Sequence, residues 1–236
     1  PFTDNKLDIN AYRNLVDFQI ENGTNGLVPV GTTGESPTLS HDEHKKLVEV
    51  CVEQANGRVP VIAGAGSNST SEAVDFVKHA CAAGADGLLV VTPYYNKPTQ
   101  SGLLAHYNEL IKNSSKPIII YDIPGRSVIK MSDNTMAELA KNDLIVGVKD
   151  ATADLARPTR LQNLIGDDFI QLSGEDGTAL AYLAAGGHGC ISVTANIAPN
   201  LLSRMHNAWK QGDITNAQDI NKKLMPLHDS LFCETS

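Results

Sequence analysis

The chain has 236 residues, 42% of them hydrophobic and 19% charged, which suits one large domain or two small ones burying about 70% of the unfolded surface. No run approaches the ~18 to 20 apolar residues of a membrane span, and no charged-then-apolar leader opens the sequence, so a cytoplasmic protein without a membrane partner is expected. Nineteen basic against 27 acidic residues give a formal charge of -8, a field that repels a phosphate backbone and argues against nucleic acid as a partner.

In chain order, Pro1 opens a loop that leads into an amphipathic helix carrying Leu15, Val16, Phe18 and Gln19. Seven short apolar runs then read as strands: Gly26 to Val30, Val59 to Ala63, Gly87 to Thr92, Pro117 to Tyr121, Ile145 to Lys149, Phe169 to Ser173 and Gly189 to Val193. The segments between them carry helical periodicity, as in Leu47, Val48, Cys51 and Val52, or Ala73, Val74, Val77 and Cys81. Ser40 with Glu43 and Ser69 with Glu72 read as capping boxes. Helix-like segments at about 199–211 and 214–231 close the chain. No linker or low-complexity stretch divides the series, so residues 1–236 form one domain of repeated βα units, with a C-terminal helical region starting at about 213.

Such alternation fits an eight-stranded parallel barrel or a doubly wound open sheet. Six of the seven strands lead straight into small, polar or reactive residues, among them Gly31-Thr-Thr-Gly-Glu-Ser36, Asp122-Ile-Pro-Gly-Arg126 and Gly174-Glu-Asp-Gly177. A barrel gathers all such loops at one mouth, whereas an open sheet loads only those at a switch point. The α/β reading is therefore a (β/α)8 TIM barrel. Seven strands are one short of eight, so the first strand is expected ahead of Pro1 and the rest of a C-terminal tail beyond the last residue.

Strand alternation puts Ile145, Gly147 and Lys149 on one face. If that face points inward, the amine loses hydration and becomes a nucleophile toward carbonyl carbon, with Gly147 leaving room beneath it. Position alone equally allows a lysine snorkelling from a strand end. Tyr121 ends another run and is either a proton shuttle at the same mouth or a core tyrosine. Thr32 and Thr33 offer hydroxyls and backbone N–H groups suited to a carboxylate, and Arg126 a fork that can grip one; the plain readings are a polar turn and a surface arginine. Gly64-Ala-Gly-Ser-Asn-Ser69 lacks the third glycine of a dinucleotide loop and the end of a P-loop. The seven histidines form no HExxH or HxH pair, and Cys51, Cys81, Cys190 and Cys233 no CxxC. Free thiols, and neither metal nor cofactor, are expected.

Gly31-Thr-Thr-Gly-Glu-Ser36, Thr92-Pro-Tyr-Tyr-Asn-Lys-Pro98, Tyr121-Asp-Ile-Pro-Gly-Arg126, Gly147-Val-Lys-Asp-Ala-Thr152 and Gly187-His-Gly-Cys-Ile-Ser-Val-Thr194, in this order and spacing, resemble the dihydrodipicolinate synthase family over essentially the whole chain. This family lies within the class I aldolases that also include N-acetylneuraminate lyase. The resemblance implies that Lys149 forms a Schiff base with pyruvate, whose enamine attacks L-aspartate 4-semialdehyde on the route to diaminopimelate and lysine. It implies Tyr121 as proton donor and acceptor, with Thr32 and Tyr95 completing its relay, Tyr95 from a neighbouring subunit. Thr33 and Ile191 then bind pyruvate, Gly174 lines the pocket, and Arg126 receives the semialdehyde's carboxylate. Tyr94-Tyr95 and Arg126 are features of the synthases rather than the lyases.

The family likeness also implies a feedback site for L-lysine at a subunit interface, with His41, His44, Gly66, Asn68, Glu72 and Tyr94 as the matching positions, and a homotetramer built as a dimer of dimers. For Glu72 the plain reading is its capping box; for the histidines it is a solvated first helical turn. The alternatives are a sugar-acid lyase of the same superfamily and, from another class, an inactive barrel that binds a carboxylate or lysine.

Overall fold

The computed structural model describes residues 1–234. Its centre is a six-stranded, all-parallel sheet whose neighbours follow chain order. A short antiparallel hairpin, β1 (Phe2–Thr3) with β2 (Lys6–Leu7), occupies the place where sequence reading gives only a loop. Helix α1 (Ile9–Glu21) starts at Asp8, whose carboxylate accepts the Ala11 N–H at 2.9 Å. Helix α2 (His41–Ala55) starts at the expected capping box, in which Ser40 and Glu43 satisfy each other's N–H groups.

The sheet comprises β3 (Ile62–Gly64), β4 (Gly87–Val91), β5 (Ile118–Asp122), β6 (Ile145–Asp150), β7 (Ile170–Ser173) and β8 (Gly189–Cys190). Helix α3 (Thr70–Ala82) links the first two of these strands and α4 (Gln100–Asn113) the next two. The short α5 (Pro124–Ser127) and α6 (Asp133–Leu139) precede β6, while α7 (Arg157–Ile165) and α8 (Ala179–Ala184) follow β6 and β7. Two final helices, α9 (Pro199–Lys210) and α10 (Ile214–Ser230), pack on each other through Leu202, Met205, Ala217 and Leu224.

The expected strand at Gly26 to Val30 is reduced to one bridge, Leu27 with Val61. Leu27 donates to Pro60 and its carbonyl accepts from Ile62, so the segment runs alongside β3. Pro29 then has no N–H to give, and Val30 turns into the left-handed region at φ 51°. The last expected strand is likewise cut to Gly189–Cys190, because the residues after Ile191 bend toward a buried carboxylate described below.

The sheet has two dressed faces. Leu88, Val90, Ile118, Ile120 and Val148 pack outward against the helices, and Leu89, Ile119 and Tyr121 pack inward with Val28, Val146, Leu172 and Ile191. Segments from both ends of the sheet share this inner cluster, so the sheet is curled. Strict alternation fails once. Ile118 pairs with Ile145 but Ile119 pairs with Gly147, which leaves Val146 as a bulge. Ile145 therefore packs on the helix side, and of the three residues expected on one face Gly147 and Lys149 alone share the inner one, with the bulged Val146. Nor does Gly147 leave room for the lysine, since a Cβ there would lie 2.4 Å from the Ile170 carbonyl oxygen. Glycine is needed for the approach of β7.

His44 and His106 are buried, and burial holds both down to about 4. Below the ordinary histidine value the unfolded chain takes up protons that the folded chain refuses, so stability falls as pH drops from about 6.5 toward 4. Thermal midpoints should start to decline above the carboxylate range. His106→Gln should flatten the part between pH 6.5 and 5; a profile indifferent to that substitution would rule this histidine out as the source.

Candidate active site

The ends of β5 and β6 put Tyr121 beside Lys149 in register, and the Lys149 Nζ lies 4.1 Å from the centre of the Tyr121 ring. Both are nearly inaccessible, at 4% and 8%. Burial lowers the Lys149 amine to about 8, with Cys190 and Asp176 acting in the opposite direction. At neutral pH a useful fraction is thus uncharged, which is the condition for attack on a carbonyl carbon. The ring beneath it stabilises the protonated form without a carboxylate. A Cβ at position 174 would lie 3.2 Å from the Lys149 Cε and 2.9 Å from the Ala151 Cβ, so Gly174 leaves the lysine its path.

Burial raises the Tyr121 phenol, opposed by a hydrogen bond with Thr32 and by the charge of Arg126, while Glu175 adds to the rise. The phenol stays protonated and is coupled to a second hydroxyl. Thr32 is held in the turn after Val30, where its carbonyl accepts from Glu35 at 3.0 Å. Thr32, Thr33, Ile191 and Lys149 line one cavity of about 370 Å³ between the 26–34 segment and β8. Arg126 lies on α5, is exposed, and reaches the Tyr121 phenol through its charge. Thr32, Thr33, Ile191 and Lys149 thus meet at one cavity, with Tyr121 beside the lysine. Tyr95 does not: it is 85% exposed, at φ 73°, and is not among the residues lining the cavity.

Asp176 was not singled out by sequence reading. It is 2% exposed and accepts the N–H groups of Val193 and Thr194 at 2.8 and 3.1 Å, and the Ser192 hydroxyl. It gathers the segment after Cys190, from which Ile191 enters the inner cluster and lines the cavity with Lys149. Its only sequence signal is the Gly174-Glu-Asp-Gly177 loop, where strand-end polarity marks a site without telling which acid is buried. Cys190, inside the Gly187 to Thr194 motif, is half-buried and lines the cavity with Lys149, and desolvation pushes its thiol up.

A second cluster lies between α2 and α3. Glu72 meets His41 Nε2 at 2.7 Å and takes a short hydrogen bond from Ser67. His44 stacks on Phe76 at 4.0 Å. The Asn68 carbonyl accepts from Asn96 at 2.9 Å, and Gly66 stands against Val91, one strand along from Tyr94. The second capping box does not form: Ser69 makes no cap bond and pairs with Ser71 instead, because Ser67 and His41 draw the Glu72 carboxylate away. Nor is the first turn of α2 simply solvated, since His44 is 5% exposed. Among the described residues no group of three or more His, Cys, Asp or Glu is placed to hold a metal ion, and no helix is long and apolar enough to cross a membrane.

The model of the dihydrodipicolinate synthetase family matches residues 1–236. The chain belongs to this family. A 4-hydroxy-tetrahydrodipicolinate synthase of Bradyrhizobium diazoefficiens is 60% identical over 236 residues, covering all of this chain and 80% of the relative. The crystal structure of dihydrodipicolinate synthase from Aquifex aeolicus superposes with a TM-score of 0.98 at 43% identity, over 100% of this chain and 81% of that one. A family structure from Cyanidioschyzon merolae with lysine bound gives 0.94 at 35% identity, over 98% and 79%. As in other folds of this class, the reactive groups of this family member stand at the carboxyl ends of the parallel strands.

Gly174→Ala should leave the far-UV spectrum intact and lower the thermal midpoint, since overpacking costs about 1–3 kcal/mol. Displacing the Lys149 stem should slow its borohydride-trapped imine formation with an α-keto acid about tenfold or more. An unchanged trapping rate would remove Gly174 from the site.

Proposed function

We infer that this chain condenses pyruvate with L-aspartate 4-semialdehyde to give 4-hydroxy-tetrahydrodipicolinate. The observation that carries the reading is the desolvated Lys149 amine against the Tyr121 phenol, in a chain about 60% identical to synthases. The neutral amine adds to the ketone carbon of pyruvate. Tyr121, relayed through Thr32, protonates the carbinol oxygen, which leaves as water as the imine forms. Loss of a methyl proton gives the enamine, whose carbon attacks the aldehyde carbon of the semialdehyde. The semialdehyde's own amine then attacks the imine carbon, closes the ring and releases Lys149.

Thr33 takes the pyruvate carboxylate, Ile191 and Gly174 shape the pocket around its methyl and ketone, and Arg126 receives the carboxylate of the semialdehyde. Tyr95, exposed and outside the lining of its own cavity, serves that of a neighbouring copy in a homotetramer made of two dimers. The curled six-stranded sheet is an arc of an eight-stranded barrel, a reading supported by the inner cluster that joins Val28 to Ile191. The enzyme works in the cytoplasm on the route to diaminopimelate and lysine. L-lysine inhibits it by binding among His41, His44, Gly66, Asn68, Glu72 and Tyr94. The Glu72 carboxylate receives the ligand's ammonium, and the likeness to a relative crystallised with lysine supports this.

Borohydride added with pyruvate should fix reduced pyruvate on Lys149, at a rate that rises with pH through about 8 and then levels. An intact folded chain that gains no mass would sink the Schiff-base route. In side-by-side assays the semialdehyde should be consumed and N-acetylneuraminate ignored. Arg126→Ala should raise KM for the semialdehyde roughly ten- to hundredfold, as expected for a charged hydrogen bond of about 1.5–3 kcal/mol. Glu72→Gln should weaken inhibition by L-lysine at least about tenfold, in keeping with loss of a charged contact; undiminished inhibition would place the ligand elsewhere.

A further inference from the structure

Tyr121 and Lys149 are each followed by an aspartate, and Asp122 pairs with Asp150 just as Tyr121 pairs with Lys149. Alternation turns the two carboxylates to the helix side of the sheet, where both are buried, at 0% and 4%. One side chain meets them both. Arg157, the first residue of α7, is wholly buried and places Nη1 2.8 Å from Asp122 Oδ2 and 3.6 Å from Asp150 Oδ1. Its Nε donates to Asp133 at 2.9 Å and its Nη2 to the Met131 carbonyl at 2.8 Å. Asp122 also faces the Met131 N–H, and Asp150 Oδ1 accepts from Thr152. The same two aspartates tie the strand ends through the backbone: Ala151 donates to the Asp122 carbonyl and Gly174 to that of Asp150, at 2.9 and 2.7 Å.

A buried ion cluster is a poor source of stability, because desolvation offsets most of its attraction and apolar packing would do as well. What this cluster supplies is geometry. A planar fork with donors in fixed directions spans two neighbouring strands and the 131–133 segment, which a single ammonium cannot do. We propose that Arg157 is a positioning residue for Lys149 and Tyr121, fixing the common height of the two strand ends, and with them Gly174, through the carboxylates that follow each strand's reactive residue. The kinetic consequence rests on the condensation reading given above; the hold on Lys149 does not.

The test compares the full-length wild type with Arg157→Lys and with the double variant Asp122→Asn/Arg157→Met, which removes a buried charge of each sign. A displacement of about 1 Å at a reacting centre can cost about a hundredfold. For Arg157→Lys, kcat should therefore fall roughly ten- to hundredfold while KM for pyruvate stays within about threefold. The labelling pKa of Lys149 toward acetic anhydride should also rise toward that of an ordinary lysine as water reaches the amine. The double variant should recover much of the thermal midpoint but not kcat. A folded Arg157→Lys with wild-type kcat and labelling pKa would overturn the proposal, and so would a double variant that recovers both. Should Arg157→Lys fail to fold, the double variant decides alone. A wild type that forms no imine with pyruvate would remove the condensation reading, and the labelling pKa of Lys149 would still decide whether Arg157 positions it.

Discussion

A primary amine enclosed in the inner face of a parallel sheet is the constraint around which this molecule is arranged. Among the described residues Lys149 makes no ion pair; its nearest charge stabilisation is the face of Tyr121 and the more distant field of Asp176. Supplying a carboxylate at contact distance would stabilise the cation and quench the nucleophile. The negative charge near the strand ends is instead carried on the opposite face, by Asp122 and Asp150, where Arg157 offsets part of it. The sheet itself separates the two, and one-residue alternation suffices to do so. Reactive group inside and charged anchor outside are adjacent in sequence but lie on opposite faces of the sheet.

The loops that complete the site are held by the same economy. Asp176 is spent on backbone N–H groups and one hydroxyl rather than on the lysine, so its charge organises the segment after Cys190. Thr32 comes from the turn after Val30, at the opposite end of the strand series, and reaches the Tyr121 phenol only because the sheet is curled. A flat sheet with the same strand order would keep the amine beside the phenol and lose the hydroxyl. Curvature, accompanied by the inner cluster from Val28 to Ile191, is thus what joins the two hydroxyls.

Much of this was legible in the sequence because strand ends and helix starts are local signals. Lys149 and Tyr121 stood out as polar residues closing apolar runs, and the five strands from β3 to β7 fell within one or two residues of their expected bounds, give or take the slow start of β3. What escaped was non-local. Arg157 begins a helix, followed by a proline, and carries no local signal of burial; only the fold brings three carboxylates around it. The box at Ser69 and Glu72 had the right spacing, but a histidine from another helix competed for its glutamate. The strand at 26–30 had the right residues and was undone by a proline and a left-handed valine at its end. Tyr95 matched its motif, yet a single chain leaves it facing outward.

The unpaired Val146 has a further meaning. An extra residue in β6 lets its two halves keep independent phase: Ile145 is set by what the helices need, and Gly147 and Lys149 by what the cavity needs. The lower half can thus be re-tuned, by exchange of one aliphatic side chain for another, without rotating the amine out of place. Without that slack, every change in the packing beneath would be transmitted along a rigid ladder to the nucleophile. The bulge acts as a mechanical joint between the part of the strand that serves stability and the part that serves chemistry.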